Sequence, residues 1–441
     1  MGWYFFLEAK NGKWRSLFPL TNIFPVGEEI RVDMKALLSI ADFVLRKDDR
    51  VRTYLVLFQN NYELRPGGGF IGSFGVLKIR SGELIDFAVH DTGNFDGRIP
   101  STVDPPYPLR ETLRVDSWKF RDSNFSPDFP TNAAQAQTFY SMGGGGEQFD
   151  GIVGITTDVL VSLLSVTGPV AVPGFPGTYG GESAVWDLEY QVEQGFLKQG
   201  IERGERKTMM NDLGWQVLDR IRALNVSDKW KLFEVVLADL HQKDIQLYFN
   251  DAEVANKIRL SGWGGEVNQF FPSDTLIPVD ANMGSFKSDY FVKRSYDYVV
   301  NLSQEKPTAR FSITYRHGAE KADWRVKEYQ TFFRLYVPNE SWLNTVSGAA
   351  SQPVFGKELG RRYFGVIAHV PLGGEKTVSF DYTLPDSIRK NPYFLDIGKQ
   401  AGIHDTPVSV TIIHADGTNT MRQFVLNRDV MIDVNGDIIE R

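Results

Sequence analysis

The chain has 441 residues, a formal net charge of −7 at pH 7 and no cysteine. The absence of cysteine excludes disulfides, thiolate metal sites and cysteine nucleophiles, and the acidic balance without a basic stripe disfavours nucleic acid as a partner. No apolar run reaches the roughly 18 residues of a membrane span. Hydrophobic residues make up 42% of the chain, which is enough for two or three cored domains.

The first part of the chain mixes helical and extended patterns. An amphipathic helix is predicted at 32–46, a fully apolar strand at 53–59 and a hairpin of strands at 74–80 and 84–89. A long polar loop at 91–131 follows. Beyond it the pattern predicts helices at 133–141, 158–166, 182–199, 205–224, 228–242 and 252–260, with strands at 150–155 and 245–249. We therefore expect an N-terminal segment and lead-in helix at 1–50, then an α/β (α+β) domain at 51–288 with a mixed central sheet flanked by helices.

From about residue 290 the pattern becomes β-rich, with Gly, Pro and Asn between the extended runs. Strands are predicted at 290–302, 309–315, 329–337, 363–370, 375–382, 393–397 and 408–414. This spacing is typical of a sandwich, so we predict an all-β immunoglobulin-like sandwich at 289–441.

A glycine-rich segment between two predicted strands is the clearest local signal. Arg65 is followed by Gly67, Gly68 and Gly69. Glycines let backbone N–H groups approach an anion closely, and a guanidinium can bind phosphate or carboxylate with two hydrogen bonds. The alternative is structural, with the glycines making a tight crossover and Arg65 paired to a neighbour.

Charged residues at a strand end and in the long loop form a second candidate site. His90 and Asp91 end a predicted strand, and Arg121 and Asp122 lie in the loop. Carboxylates at such a place can hold Mg²⁺ while phosphate oxygens complete its coordination. The alternative is that these carboxylates only cap turns.

Two arginines and the histidines complete the set of candidates. Arg203 and Arg206 lie three residues apart at the start of a predicted helix, where they share one face and suit an anion. The alternative is a solvated charged face. The six histidines have no spacing typical of a zinc site, which disfavours zinc.

Three segments together resemble the hallmark of a bacterial family catalogued as domain of unknown function 4012. They are YLVLFQNN at 54–61, ELRP at 63–66 and GGFIGS at 68–73. Further landmarks at 121–130, 149–153, 167–170 and 282–287 follow in the family's order, so the resemblance covers most of residues 50–440. Members look membrane-anchored and face outward. The resemblance therefore implies an extracytoplasmic cell-envelope protein, held to the membrane by an anchor absent from this chain.

This family in turn resembles, distantly, the LytR-CpsA-Psr phosphotransferases, which move glycopolymers from a polyprenyl-pyrophosphate carrier onto peptidoglycan with Mg²⁺. The resemblance implies a LytR-CpsA-Psr-like α/β domain that binds a polyprenyl-diphosphate-linked glycopolymer, with helices lining an apolar cleft for the lipid. It assigns ligand binding to Arg65, Gly68, Gly69, His90, Arg121, Arg203 and Arg206. It assigns catalysis to Asp91 and Asp122, with Asp91 as the Mg²⁺ ligand.

Departures from the transferase pattern leave two functions open. Asn60-Asn61 and residues 69–73 stand where the transferases carry aspartates, and Glu189 stands where an arginine is expected. Fewer carboxylates weaken Mg²⁺ binding, and fewer arginines weaken the hold on pyrophosphate. One function is binding with transfer of the glycopolymer. The alternative is a non-catalytic surface scaffold or adhesion protein with a degenerate transferase fold.

Overall fold

The structure is a computed structural model that describes residues 27–181, 183–198, 200–202, 209–389 and 392–440. Its α-helices are α1 (Glu28–Val44), α2 (Thr92–Asp96), α3 (Leu109–Leu113), α4 (Phe129–Met142), α5 (Thr157–Thr167), α6 (Ser183–Tyr190), α7 (Phe196–Lys198), α8 (Met209–Ala223), α9 (Val226–His241) and α10 (Ala252–Leu260). Within the described ranges, no helix is long and apolar enough to span a membrane.

The strands fall into two groups along the chain. The first group comprises β1 (Val51–Asn60), β2 (Phe70–Arg80), β3 (Glu83–Asp91), β4 (Gly151–Thr156) and β5 (Ile245–Phe249). The second comprises β6 (Asp274–Asn282), β7 (Val292–Asn301), β8 (Thr308–His317), β9 (Tyr329–Pro338), β10 (Trp342–Ser347), β11 (Val354–Glu358), β12 (Arg361–Val370), β13 (Glu375–Thr383), β14 (Phe394–Ile397), β15 (Thr406–Ile413), β16 (Asn419–Leu426), β17 (Val430–Asp433) and β18 (Ile438–Glu440).

The first group forms one mixed sheet in the order β3-β2-β1-β4-β5. Strands β1 and β4 are parallel, and the other neighbours are antiparallel. The carboxyl ends of β1 and β4 and the start of β5 therefore lie at the same edge of the sheet. In sheets with parallel strands, this edge is where ligands commonly bind.

Helices cover both faces of this sheet because β1 is apolar on both sides. Leu55 and Leu57 are buried in a cluster with residues of α4. Side chains alternate along a strand, so Val56 and Phe58 face the opposite side, toward α5, α6 and α8. The prediction of a mixed central sheet flanked by helices is confirmed at this level.

The second part of the chain is rich in strands, as predicted, and forms two sheets. One has the order β10-β13-β8-β7-β15-β16 and the other β11-β12-β9-β6-β14-β17-β18. A single apolar cluster contains residues of both sheets, so the two sheets pack face to face around one core. The expected boundary after residue 288 separates β6 from its sheet partners, since β6 pairs with β9 and β14.

Candidate functional site

An apolar cavity of about 400 Å³ lies between the first sheet and helices α5, α6 and α8. The sheet contributes Val56, Phe58, Leu77, Phe87 and Ile155. The helices contribute Val159, Leu160, Leu163, Val185, Leu188, Val192, Met210, Leu213, Val217, Leu218 and Ile221. The resemblance predicted an apolar cleft for a lipid, and the binding of a lipid in this cavity stays a prediction.

The spacing of residues in α8 explains one wall of the cavity. Met210, Leu213, Val217 and Ile221 recur at intervals of three or four residues, so they share one face of the helix. Gly214 lies on the same wall, where a Cβ atom would come within 2.9 Å of Phe87 Cε1. A glycine at this position therefore allows α8 to approach the sheet closely.

Polar residues close the cavity at the edge where β1 and β4 end. Lys287 Nζ lies 3.1 Å from Glu189 Oε2, and Asn60 Nδ2 donates to Glu189 Oε1 at 2.7 Å. Glu63 lines the same end. The cavity therefore combines a long hydrocarbon wall with one polar end, as a pocket for an amphiphilic ligand should.

Burial changes the protonation of the charged groups at the polar end. Burial raises the pKa of Glu63, although Arg65 and Lys287 act against the rise. Burial alone lowers the pKa of Lys287, but Glu189 and Glu63 outweigh this effect and the pKa lies above its ordinary value. Lys287 therefore remains protonated at neutral pH, and the raised pKa of Glu63 favours its neutral carboxyl form.

Gln59 follows Leu55 and Leu57 in the alternation of β1, so its side chain lies on the α4 face of the sheet and not in the cavity. It is 1% exposed, and Oε1 accepts a hydrogen bond from Asn124 Nδ2 at 2.5 Å. A Cβ atom at Gly154 would lie 2.8 Å from Gln59 Nε2 and 2.7 Å from Phe129 of α4, which places the amide on that face.

Arg65 and Asp122, which the sequence assigned to a site, pair with each other inside the protein. Arg65 Nε donates to Asp122 Oδ1 at 2.9 Å, and both side chains are 2% exposed. Nη1 donates to the Asn282 carbonyl at 3.0 Å, and Nη2 lies 3.4 Å from Glu63 Oε1. All three guanidinium nitrogens thus have protein partners, as the structural alternative expects.

Gly68 and Gly69 are buried and have a backbone role. Gly68 has a φ of +128° and donates its N–H to the Arg65 carbonyl at 2.9 Å. A Cβ atom at Gly69 would lie 2.3 Å from the Asn60 carbonyl carbon. The glycines let the chain turn back against the end of β1 without a clash.

The strand-end and loop residues are held by local contacts. Asp91 caps α2, because its Oδ1 accepts from Asn94 N at 3.1 Å. Arg121 Nε donates to Asp96 Oδ2 at 2.5 Å. His90 is exposed and stacks on Phe74 with ring centroids 5.0 Å apart. Mg²⁺ binding at Asp91 stays a prediction, and nothing proposed below depends on it.

Arg203 and Arg206 lie outside the described residues. Sequence reasoning also did not single out Glu63 and Lys287 as polar groups of one pocket. Glu63 lies shortly after a predicted buried strand, which was a usable signal. Lys287 lies more than two hundred residues further along the chain, where no local pattern connects it to this edge.

Residues 49–192 match a family described as "Protein of unknown function (DUF4012)". This match bears out the resemblance of the motifs at 54–73 for residues 49–192 and does not extend over the rest of the span to residue 440. It includes β1 to β4 with the glycine-rich segment and helices α5 and α6, and it ends before α8. No curated protein matches the chain.

Two solved structures show a weak likeness. The Lin1025 protein of Listeria innocua is 11% identical, with 49% of this chain and 80% of that chain covered and a TM-score of 0.28. The gbs0355 protein of Streptococcus agalactiae is 12% identical, with 49% and 74% covered and a TM-score of 0.32. Likenesses at this level support no conclusion about fold or function.

Proposed function

We propose that this protein binds the hydrocarbon chain of a polyprenyl-phosphate- or polyprenyl-diphosphate-linked glycan in its apolar cavity. The observation that carries the proposal is the cavity itself, with a hydrocarbon wall on two sides and polar groups at one end. Each buried CH₂ group contributes about 0.8 kcal/mol. A polyprenyl chain therefore gains affinity along the whole wall, without a directional contact.

The polar end suits the head of such a lipid. Lys287 supplies a cation there. The carboxylate of Glu189 would repel a phosphate, but Lys287 and Asn60 already contact this carboxylate. Because burial raises the pKa of Glu63, its repulsion of an anion is reduced.

Binding without transfer is the form of this function that we favour. Among the described residues, those assigned to chemistry make structural contacts instead: Arg65 with Asp122, Arg121 with Asp96, and Asp91 with the start of α2. Transfer of a diphosphate-linked group needs positive charge at the diphosphate. These contacts favour binding of the lipid-linked glycan without its transfer, and a non-catalytic surface scaffold or adhesion protein with a degenerate transferase fold is the alternative.

The proposal extends to the detailed fold type of each half and to the cellular location of the protein. The mixed sheet with helices on both faces is compatible with a LytR-CpsA-Psr-like domain, and the two packed sheets with an immunoglobulin-like one. An extracytoplasmic, membrane-anchored location would bring the cavity near its lipid.

Thermal unfolding with short polyprenyl phosphate or polyprenyl diphosphate, with and without Mg²⁺, tests the proposal. Ligand at about 100 times its dissociation constant should stabilise the folded state by roughly 2.7 kcal/mol. Leu160→Trp fills the cavity with an indole and should weaken binding at least about tenfold, or about 1.4 kcal/mol. Leu160 is half-buried and lines the helix wall.

Leu232→Trp is the matched control, since Leu232 is equally half-buried but lies on α9 and does not line the cavity. It should keep the stabilisation seen in the wild type. Equal responses of the two variants would contradict the proposed position of the lipid. No stabilisation of the wild type by either lipid would contradict lipid binding altogether.

A further inference from the structure

A second cavity, of about 880 Å³, lies between the strand-end edge of the first sheet and the strand-rich half. Asp158, Asp244 and His404 line one side of it. One ligand atom of each lies within 4.8 Å of those of the other two. Asp158 is in the first turn of α5, Asp244 directly precedes β5 and His404 lies shortly before β15. Three distant parts of the chain thus bring an imidazole and two carboxylates together.

The distances within this cluster match those between ligands of one metal ion. His404 Nε2 lies 3.0 Å from Asp158 Oδ2 and 3.2 Å from Asp244 Oδ1. Two atoms that each lie about 2.1 Å from one cation are about 3.4 Å apart at the tetrahedral angle of Zn²⁺ and about 3 Å apart at 90°. Burial alone would lower the pKa of His404, but its contacts with Asp158 and Asp244 outweigh burial and raise it to about 9, so the same distances also suit a protonated histidine between two carboxylates.

The direction of Nε2 does not fit an ordinary hydrogen bond. This buried atom makes no hydrogen bond to either carboxylate, nor to any other described residue. An N–H group on Nε2 therefore points between the two oxygens, which lie within ion-pair distance on either side of it. That arrangement is the one expected when Nε2 and two carboxylate oxygens face a common point.

Neighbouring side chains orient the two carboxylates. Thr156 Oγ1 donates to Asp244 Oδ1 at 2.9 Å, and Asn61 Nδ2 donates to Asp158 Oδ2 at 2.7 Å. Such contacts to ligand carboxylates are typical of metal sites, where they fix the ligand geometry. Thr156 is the last residue of β4, and Asn61 directly follows β1. Because β1 and β4 are parallel neighbours, the sheet positions both side chains.

A further carboxylate lines the same cavity and lacks a partner on one oxygen. Asp239 is 6% exposed, and its Oδ1 accepts from Ser162 Oγ at 2.9 Å. Its Oδ2 has no hydrogen-bond partner within the part of the chain that the structure describes. A buried carboxylate oxygen without a donor calls for a cation or its bound water.

The nearby lysines do not neutralise the cluster by direct contact. Lys399 Nζ donates to the backbone carbonyls of Gln242 and Gln400, at 2.5 and 3.2 Å. Lys243 Nζ pairs with Asp429 at 2.7 Å. A divalent cation would balance the two charges of Asp158 and Asp244 and would replace the proton that these carboxylates hold on His404.

We propose that Asp158, Asp244 and His404 bind Zn²⁺. The ion would thereby link the α/β half of the protein, which contains β1 to β5, to the strand-rich half. An imidazole with carboxylates suits a first-row transition metal, whereas Mg²⁺ and Ca²⁺ prefer oxygen ligands alone. The ligands converge in the folded chain alone, so metal binding stabilises the folded state. The proposal is independent of lipid binding at the apolar cavity.

Calorimetric titration of the EDTA-treated, dialysed full chain with ZnCl₂ tests it, together with thermal unfolding. The chain has no cysteine, so no thiolate competes for the ion. The wild type should bind one equivalent of Zn²⁺ and unfold at a higher temperature with it, whereas Mg²⁺ should have little effect. His404→Gln and Asp158→Asn should each weaken Zn²⁺ binding at least about tenfold. His369→Gln, at an exposed histidine of β12, should behave like the wild type.

Two results would overturn the proposal. One is the absence of Zn²⁺ stabilisation in the wild type. The other is a Zn²⁺ affinity that stays the same in wild type, His404→Gln and Asp158→Asn, even if the metal-free variants are less stable. That second pattern would identify the cluster as a plain ion pair between the two halves. Asp158→Asn preserves side-chain shape and an acceptor for Asn61, so it guards against a variant that fails to fold.

Discussion

Arg65 shows how a residue with the chemistry of a binding site can have a structural role. Its guanidinium is 2% exposed and contacts Asp122, Glu63 and the Asn282 carbonyl. The bond to Asn282 reaches β6, in the strand-rich half. The sequence could not decide between anion binding and structure, because the partner Asp122 is far away along the chain. The contacts decide for structure.

Removal of either partner of this pair should be strongly destabilising. Asp122→Asn leaves the Arg65 charge uncompensated inside the protein, and we expect a loss of about 3–5 kcal/mol of unfolding free energy. The double variant Arg65→Met/Asp122→Leu should lose clearly less than the sum of Arg65→Met and Asp122→Leu. Urea unfolding of the wild type and these four variants measures both effects. Additive losses, or unchanged stability with lost lipid binding, would return Arg65 to the role of a ligand-binding residue.

At the scale of elements, sequence patterns predicted the strands whose buried positions are occupied by apolar residues. Strand β1 was predicted because its residues are apolar on both faces, and the β2–β3 hairpin because its strands are joined by Ser81-Gly82. The helices around the cavity were predicted with shifted ends. The pattern at 182–199 predicted one helix, but α6 ends at Tyr190 and a π-helical turn follows.

Strand β6 was missed because its buried positions include polar residues. Asp274, Asp280 and Asn282 are each at most 1% exposed, although such residues are usually found at surfaces and turns. Their partners come from distant strands: Tyr298 contacts Asp274, and Arg294 contacts Asp280. Burial of this kind depends on the completed tertiary structure, and no local periodicity of the sequence predicts it. The same reason explains why the His404 cluster was not foreseen.

The buried Asp274 should make stability depend on pH. Burial raises its pKa to about 6, although the hydroxyls of Tyr298 and Tyr393 donate to it. In the unfolded chain the carboxyl ionises near its ordinary 3.8. The contribution of Asp274 to stability is therefore full below about pH 4 and is lost as the pH rises to about 6, by about 3 kcal/mol in total.

Asp274→Asn isolates this effect. The difference in unfolding free energy between wild type and variant should change by about 3 kcal/mol in favour of the variant from pH 4 to pH 7. Asp386→Asn, at an exposed aspartate in the same half, is the control and should show no such change. Denaturant unfolding at several pH values measures it. A difference that does not vary with pH, or that favours the wild type as pH rises, would contradict this account.

At the scale of the whole molecule, one segment serves both halves. Asn60 and Glu63 lie at the polar end of the apolar cavity. Leu64 and Arg65 instead contact the strand-rich half, where Asp289 Oδ2 accepts the Leu64 N–H at 3.0 Å. A ligand in the cavity therefore lies directly against the junction of the two halves. The family motif at 59–73 is explained as much by this junction as by a binding site.

A crystal structure of the protein with a short polyprenyl phosphate tests the central claim most directly. The account predicts chain density between the sheet wall at Val56 and Phe58 and the helix wall at Leu160 and Leu218. It places the phosphate within hydrogen-bond distance, about 3 Å, of Lys287 Nζ. Chain density in the cavity between the two halves, or an empty apolar cavity at saturating ligand, would contradict it.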